Sequence, residues 1–414
     1  MTELSAPRPA EAVMQSATIA APVEAASASR AQWGIVGGHA FKHIFNSGFA
    51  VILPEIKASL GLSNAAVGTL ATVRSVVGGA ANAPAGYIAD RYGGGFAWML
   101  AGTLALLGLF QLGLGFAANF LTAIVFATLA NVLFTFWHPP AIGTLSKLFP
   151  RKRGLVIALH GTGASIGETL GPLLVGGLLT VVTWQTALRT SVVPAVIAAL
   201  IVWFATRSVK VRSRPVSARG YFKDYWLLLR SRKLLLVLAI ACGFSASQAA
   251  VLTFLPVYVR EDLRQSTWMV GVYVAIAQGA GIVTLPLMGR LLDRVGRKAI
   301  IAPSLFALTG ALALLYVSGG SFFFIVGLAL TGAFIYSITA LLTTAACDVT
   351  ADHVQGTTVA LVYTANAAFT VLGPFVSGFI ADATSVRDVF LFSSAATLVS
   401  AVLASVTRWE RARA

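Results

Sequence analysis

The stretch Gly86-Tyr87-Ile88-Ala89-Asp90-Arg91-Tyr92-Gly93 closes one long apolar segment and opens the next. It recurs 203 residues later as Gly289-Arg290-Leu291-Leu292-Asp293-Arg294-Val295-Gly296. Each copy sets Gly, then Asp-Arg, then Gly into a short turn between two stretches of membrane length. A turn that tight takes glycine where φ is positive or where the backbone runs close to a neighbour. The acid and the base then sit at a helix end, where they can pair across a neighbouring helix end. A chain that meets this constraint twice is expected to be two copies of one unit.

Other landmarks keep the same register. Leu53-Pro54 answers Leu255-Pro256, Gly154 answers Gly356, and Gly171-Pro172 answers Gly373-Pro374, all at an offset of 202. Agreement in register along the whole chain marks an internal repeat. Spans of about 20 apolar residues cross a bilayer. Twelve are read here, at 33–54, 64–89, 96–116, 119–146, 154–180 and 187–206 in the first copy, and at 234–258, 268–289, 299–319, 322–346, 355–380 and 389–406 in the second. They are numbered spans 1 to 12. The expected fold is an all-α membrane protein of 12 transmembrane helices in two six-helix pseudo-symmetric halves. An even number of spans per half makes the copies parallel, related by an axis along the membrane normal. The expected divisions are a disordered cytoplasmic tail over 1–30, the first half over 31–206, a basic cytoplasmic linker over 207–233, the second half over 234–407 and a cytoplasmic tail over 408–414.

Composition agrees: 57% of residues are hydrophobic, 11% are charged, and the mean hydropathy is +0.82. A soluble domain has roughly 25% charged residues. The net charge of +15 raises nucleic acid as a partner, but the bases lie in short loops between apolar spans, so no nucleic-acid role is expected. With the N-terminus in the cytoplasm, inside segments hold 23 Lys and Arg and outside segments hold 5. That bias places both termini in the cytoplasm of a multi-pass protein of the cytoplasmic (inner) membrane. No C-x-x-C, metal-type Cys/His spacing, Walker loop or GxSxG elbow is present, so neither metal nor cofactor is expected. Cys242 and Cys347 read as small buried residues.

The turn motif resembles the loop motif after helices 2 and 8 of the major facilitator superfamily, and the likeness covers residues 33–406. Gly163-Ala164-Ser165-Ile166-Gly167-Glu168-Thr169-Leu170-Gly171-Pro172 resembles that family's helix 5 motif, associated there with antiporters. His43-Ile44-Phe45-Asn46 and Phe136-Trp137-His138-Pro139 are similar to the fosmidomycin-resistance branch of efflux proteins, with Ser47 where that branch often has an acid. An organic-anion carrier of another branch is the neighbouring likeness. The resemblance implies alternating access about a site at the midplane. Gly86, Asp90, Arg91, Asp293 and Arg294 would act at the inner gate, and Gly171 and Pro172 in the helix 5 motif. The first copy ends Gly93-Gly94-Gly95 and lacks the basic pair Arg297-Lys298 of the second, so the inner gate of the first half is expected to be held differently.

Ionisable residues inside a span default to functional candidates. Lys42 (span 1), Arg74 (span 2) and Glu168 (span 5) stand near mid-span, all in the first half. The second half offers only neutral polar candidates: Gln248, Gln278, Tyr336, Tyr363 and Asn366. His39, Lys42, His43 and Asn46 share one face of span 1, since they stand at i, i+3, i+4 and i+7. Such a stripe lines the central cavity or meets another polar helix. Asn131 and His138 share a face of span 4 with Thr135, and Pro139-Pro140 is expected to kink that helix. Arg74 is read either as an anion site or as the partner of Glu168 in an ion pair. Glu168 is read as the proton-coupling group or as that permanent salt bridge. His138 stands between structural hydrogen bonding and proton carriage. His160 reads as structural and His353 as a solvated loop residue.

The three mid-span charges sum to +1, which favours an anionic ligand. The expected function is proton-coupled secondary active transport of a small organic anion, with export by antiport ahead of uptake of a monocarboxylate or aromatic acid by symport. The partners are then the anion, protons and the lipid bilayer, and the protein is a monomer. A membrane enzyme or receptor is the remote alternative: no nucleophile with a base and no soluble sensory domain is present.

Overall fold

A computed structural model describes residues 24–82, 84–85, 88, 96–149, 152–209, 230–349, 362, 365–366 and 368–407. Every regular element among them is helical. Span 1 is the helix Ala25–Leu60, span 2 Asn64–Ala80, span 3 Phe96–Leu114, span 5 Arg153–Leu178 and span 7 Arg232–Glu261. Spans 8, 9, 10 and 12 are Thr267–Val295, Arg297–Ser318, Phe322–Asp348 and Asp388–Val406, and the described helix of span 11 is Leu372–Ala383. Span 4 runs as Phe120–Phe136 and His138–Leu148, and span 6 as Trp184–Thr190 and Val192–Thr206.

Local sequence explains most boundaries. Ser63, Thr183 and Ser231 accept a backbone N–H from Ala66, Thr186 and Leu234 and so cap spans 2, 6 and 7, and Asn119 with Thr122 forms a capping box on span 4. Gly61 ends span 1 in the left-handed region at φ 61°. Span 4 breaks at Trp137 as expected, because Pro139 and Pro140 lack the N–H and crowd the preceding turn. The break leaves His138 at the start of the resumed helix.

Two boundaries differ from the sequence reading. Helix begins at Ala25 within the expected tail, because Ala25, Ala26 and Ala28 favour helix. Asp293 and Arg294 lie in the last turn of span 8, and the turn proper is confined to Gly296 at φ 92°. Asp90, Arg91 and Gly86 of the first copy lie outside the described residues, as do the linker over 210–229 and His353.

Among the described residues, eight helices are long and apolar enough to cross a membrane. Spans 1, 2, 5 and 11 are not among them. Spans 1 and 5 carry the polar and glycine residues discussed below, and the described lengths of 2 and 11 are 17 and 12 residues. These four helices pack at the boundary between the halves or beside it.

The packing repeats as the sequence does. A Cβ at Gly171 of span 5 would lie 2.6 Å from the Ile44 carbonyl oxygen of span 1, and one at Gly373 of span 11 would overlap the Ala246 carbonyl oxygen of span 7. Between halves, a Cβ at Gly68 of span 2 would overlap the Pro374 oxygen, and one at Gly271 of span 8 would overlap the Pro172 oxygen. Both halves therefore use the Gly-Pro pair of spans 5 and 11 to bring three backbones together. The end where the chain leaves span 6 and enters span 7 is called the linker end, and the opposite one the far end. Toward the far end a single apolar core joins the halves, with Leu53, Ile56, Val67 and Leu70 packed among Val251, Phe254 and Leu255. Toward the linker end the first half has a separate core around Ile35, Leu100, Leu104, Trp137 and Val202.

This close approach is testable in detergent by thermal unfolding. A Cβ at Gly167 would collide with the Ala40 carbonyl, whereas one at Gly161 on the same helix meets open space. Gly167→Ala is expected to destabilise by about 1–3 kcal/mol. Gly161→Ala is expected to be neutral or to stabilise by about 1 kcal/mol or less.

Candidate functional site

A cavity of about 340 Å³ lies between the halves. Its polar lining comes from Asn46, Ser47, Arg74, Ser75, Asn131 and Glu168 on one side and Gln248, Thr253, Gln278, Tyr336 and Thr370 on the other. Asn46 and Gln248 are equivalent positions of the repeat at offset 202, and so are Glu168 and Thr370. The charged groups of the wall, Arg74 and Glu168, thus belong to the first half alone, among the described residues.

Arg74 reaches the wall from span 2. Its Nη2 donates to Asn46 Oδ1 at 3.4 Å, and its guanidinium lies 3.8 Å from the centre of the Phe49 ring. Its carbonyl accepts from Asn131 Nδ2 at 2.7 Å, which fixes span 4 against span 2. Its Nε is buried without a hydrogen-bond partner, and no ion pair to Arg74 occurs among the described residues. Glu168 is paired elsewhere: its Oε1 stands 3.1 Å from His43 Nδ1. The ion-pair alternative for Arg74 and Glu168 is therefore not the arrangement in this structure. The reason is the glycine face of span 5. A Cβ at Gly167 would touch both Ala40 and His43, so span 1 lies flat on span 5 and delivers His43 to Glu168.

The rest of the polar stripe on span 1 turns away from the cavity. His39, Lys42 and His43 are buried, Lys42 to 1% exposure, and they meet His138 of span 4 and His160 of span 5. Lys42 Nζ donates to the Phe134 carbonyl at 2.8 Å, lies 3.2 Å from His138 Nε2 and sits 3.8 Å from the centre of the Phe134 ring. His39 Nδ1 donates to the His160 carbonyl at 2.7 Å, and the two rings stack with centroids 3.6 Å apart. His39 Nε2 is 3.2 Å from His43 Nε2 and 3.3 Å from His138 Nε2. Of the two placements open to the stripe, Asn46 takes the cavity wall and His39, Lys42 and His43 take the interhelical network. His160 belongs to this network too. Its neighbours come from other spans, so its spacing in the chain carries no sign of them. His39, His43 and His138 hold ring nitrogens within 4.8 Å of one another, a spacing at which imidazoles can take up a metal ion. The Lys42 ammonium faces the same nitrogens, and its charge opposes a divalent cation there.

In the second half, Gln248, Gln278 and Tyr336 reach the cavity. Asn366 accepts instead from Ser245 Oγ at 3.0 Å and ties its own helix to span 7. Tyr363 lies outside the described residues.

The far end is latched by contacts that no span-by-span reading of the chain contains. Lys57 pairs with Glu261, and Glu55 pairs with Arg260 at 2.6 Å, so spans 1 and 7 exchange two ion pairs. Asp382, beyond the apolar part of span 11, accepts the backbone N–H groups of Asn64 and Ala65, both at 2.8 Å. A carboxylate at the N-terminus of span 2 is favoured by the helix dipole and by its unpaired donors. Burial works to raise the Asp382 carboxyl, but the N–H donors of Ala65 and Asn64 prevail and hold it below the usual carboxylate range.

The first half packs its polar network inside itself and meets its repeat across a polar cavity closed at the far end. This is the plan of a two-half membrane carrier, and the sequence comparisons agree. The family model for the Major Facilitator Superfamily matches residues 35–321 and 265–414, and the chain belongs to that superfamily of membrane transporters. It is 27% identical over 277 residues to a protein of Cupriavidus pinatubonensis named as a probable 4-methylmuconolactone transporter, a match over 64% of this chain and 63% of that relative. It is 28% identical over 351 residues to an MFS-type efflux pump of Mycolicibacterium smegmatis, over 80% of each chain. Among solved structures, a bacterial homologue of the human lysosomal transporter Spinster, inward-facing and unoccupied, superposes with TM-score 0.81 at 14% identity over 93% of this chain and 97% of that one. The nucleoside transporter NupG superposes with TM-score 0.76 at 12% identity, over 90% and 98%.

The latch gives two expectations, both read from an impermeant maleimide reacting with Thr253→Cys in a background without Cys242 and Cys347. Lys57→Glu opens the cavity to reagent at the far end, and adding Glu261→Lys restores protection. The Asp382 contribution is fully present above the ordinary carboxylate value of about 3.9 and is lost as pH falls through its lowered value. Protection is therefore unchanged between pH 8 and 5, while Asp382→Asn weakens it throughout.

Proposed function

We propose that the chain carries a small organic anion across the cytoplasmic membrane by alternating access, coupled to protons, in the direction of efflux by antiport. The observation that carries this reading is Arg74: a guanidinium on the cavity wall, with no carboxylate partner and with a buried Nε lacking an acceptor, among the described residues. A fork of that kind suits a carboxylate, phosphonate or phosphate. A cavity of about 340 Å³ is at the small end of ligand sites. The neutral polar groups Asn46, Asn131, Gln248, Gln278 and Tyr336 around it fit orientation of a polar ligand.

Glu168 is the proton-coupling group in this reading. It lies on the same wall and has a titratable partner in His43. The linker end is then cytoplasmic, with both termini, and the far-end latch is the outer gate closed. The turns at Asp90-Arg91 and Asp293-Arg294 serve the inner gate, and each monomer is a complete carrier. The helix 5 motif and the efflux pump of M. smegmatis support export. Uptake by proton symport is the second reading, supported by the relative named as a 4-methylmuconolactone transporter.

The test uses purified protein in liposomes with an imposed pH gradient, following internal pH while a panel of small carboxylates and phosphonates is offered. Anion-dependent proton flux is expected, with its sign deciding antiport or symport. Arg74→Ala should weaken apparent anion affinity roughly 10- to 150-fold, the loss of about 1.5–3 kcal/mol of charged hydrogen bonding. Glu168→Gln should abolish the response to the gradient. Proton flux driven only by cationic or neutral compounds, or full gradient-driven flux in Glu168→Gln, would refute the reading.

A further inference from the structure

A continuous file of polar atoms runs from the cavity wall into the first half: Glu168, His43, His39 and His138, with the Lys42 ammonium at its inner end. The steps are 3.1, 3.2 and 3.3 Å between the carboxyl and successive rings, and 3.2 Å from His138 Nε2 to Lys42 Nζ. Each step is a short polar contact, the Glu168–His43 one by distance without hydrogen-bond alignment, and His39 and His43 are buried while His138 is partly buried.

The protons in this file can be assigned by counting donors. A neutral imidazole has one N–H and one lone pair. The His160 carbonyl only accepts, so His39 carries its proton on Nδ1 and presents a lone pair at Nε2. His138 Nε2, 3.3 Å from that lone pair, accepts from the Lys42 ammonium, so the donor to His39 is His43 Nε2, 3.2 Å away. That leaves a lone pair at His43 Nδ1, facing Glu168 Oε1 at 3.1 Å. The contact is favourable only if the carboxyl is protonated and donates to the ring. A neutral network therefore holds its extra proton on Glu168. When Glu168 is ionised, His43 must take the opposite tautomer, with its proton on Nδ1, and its Nε2 then faces His39 without a donor.

We propose that His43 is a proton relay behind Glu168 and His39 its transient buried proton acceptor. The O–H bond of Glu168 breaks as an N–H bond forms at His43 Nδ1. The N–H bond at His43 Nε2 breaks as one forms at His39 Nε2. One proton leaves the carboxyl, one arrives on His39, and His43 ends neutral with its tautomer reversed. The products are a carboxylate on the cavity wall and an imidazolium inside. That imidazolium donates to the His160 carbonyl through Nδ1 and to the neighbouring ring nitrogens of His43 and His138 through Nε2.

The charged and titratable groups that face these rings are Lys42, His138 and His160, and those that share the cavity wall with Glu168 are Arg74 and Tyr336. The relay rests on Glu168 as the proton-coupling group.

The test follows ring nitrogens by NMR in full-length protein with ¹⁵N-labelled histidine in nanodiscs between pH 5 and 8. In parallel, the carboxylic C=O band of Glu168 is followed by infrared spectroscopy, assigned by its absence in Glu168→Gln. The expected result is that His43 changes tautomer in step with loss of the Glu168 band, and that Glu168→Gln removes the change. In liposomes, His43→Gln should slow anion-dependent proton flux by about 100-fold with little change in apparent anion affinity. A His43 tautomer that stays fixed while the Glu168 band titrates would overturn the relay, as would ring signals that shift on addition of zinc and return with chelator. Gradient-driven flux that needs Glu168 but is unchanged in His43→Gln would sink the relay and leave proton coupling standing. If no anion moves protons in the wild type, the coupling reading fails, and the NMR and infrared results still decide the relay.

Discussion

Backbone contact between spans 1 and 5 governs this molecule. Glycines at 163, 167 and 171 strip one face of span 5 of side chains, and span 1 lies directly on it. In a membrane, helices gain little from hydrophobic exclusion, so close packing over small residues carries much of their association. The consequence reaches the chemistry. Span 1 is held at a distance and rotation that set His43 beside Glu168 and turn His39 and Lys42 into the first half. A bulkier span 5 would push span 1 outward and separate the carboxyl from its imidazole. The same device joins the halves, where Gly68 and Gly271 receive the Pro374 and Pro172 carbonyls.

The two halves share this scaffold and differ in charge. At equivalent positions of the repeat, Asn46 answers Gln248 and Glu168 answers Thr370 on the cavity wall. The scaffold is repeated because each half must build the same six-helix packing, and the landmarks that recur are glycines, prolines and turn residues. The chemistry is not repeated. A charge buried in a membrane helix costs several kcal/mol unless it is compensated. Here Lys42 finds a carbonyl, the face of Phe134 and a ring nitrogen, and Glu168 finds an imidazole. Among the described residues those partners all come from the first half, which also carries the mid-span charges. The second half contributes neutral hydrogen-bonding groups and the other side of the latch.

The far end shows how little of a gate is visible residue by residue. Glu55, Lys57, Arg260 and Glu261 sit near helix ends, where charged residues are ordinary. Their meaning comes from pairing across the halves, between residues about 205 positions apart. Asp382 likewise gains its role only because span 11 ends against the first turn of span 2.

Taken alone, the sequence determined the class of fold, the number of spans, the repeat and its parallel sense, because apolar length, loop charge and glycine-proline landmarks are local properties that a bilayer constrains tightly. It also singled out Lys42, Arg74 and Glu168, since a charge in mid-span is costly wherever it points. Helical spacing placed His39, Lys42, His43 and Asn46 on one face, but it did not say that Asn46 meets the cavity while the other three are buried inward. That choice depends on the rotation of span 1 on span 5. Tertiary structure alone decided that Glu168 pairs with His43 and not with Arg74, and that His160 and His138 join the same network. It also decided that the Asp293-Arg294 turn is the end of a helix stopped by Gly296. These are contacts between residues far apart in the chain, fixed by how closely backbones can approach, and no periodicity in one segment encodes them.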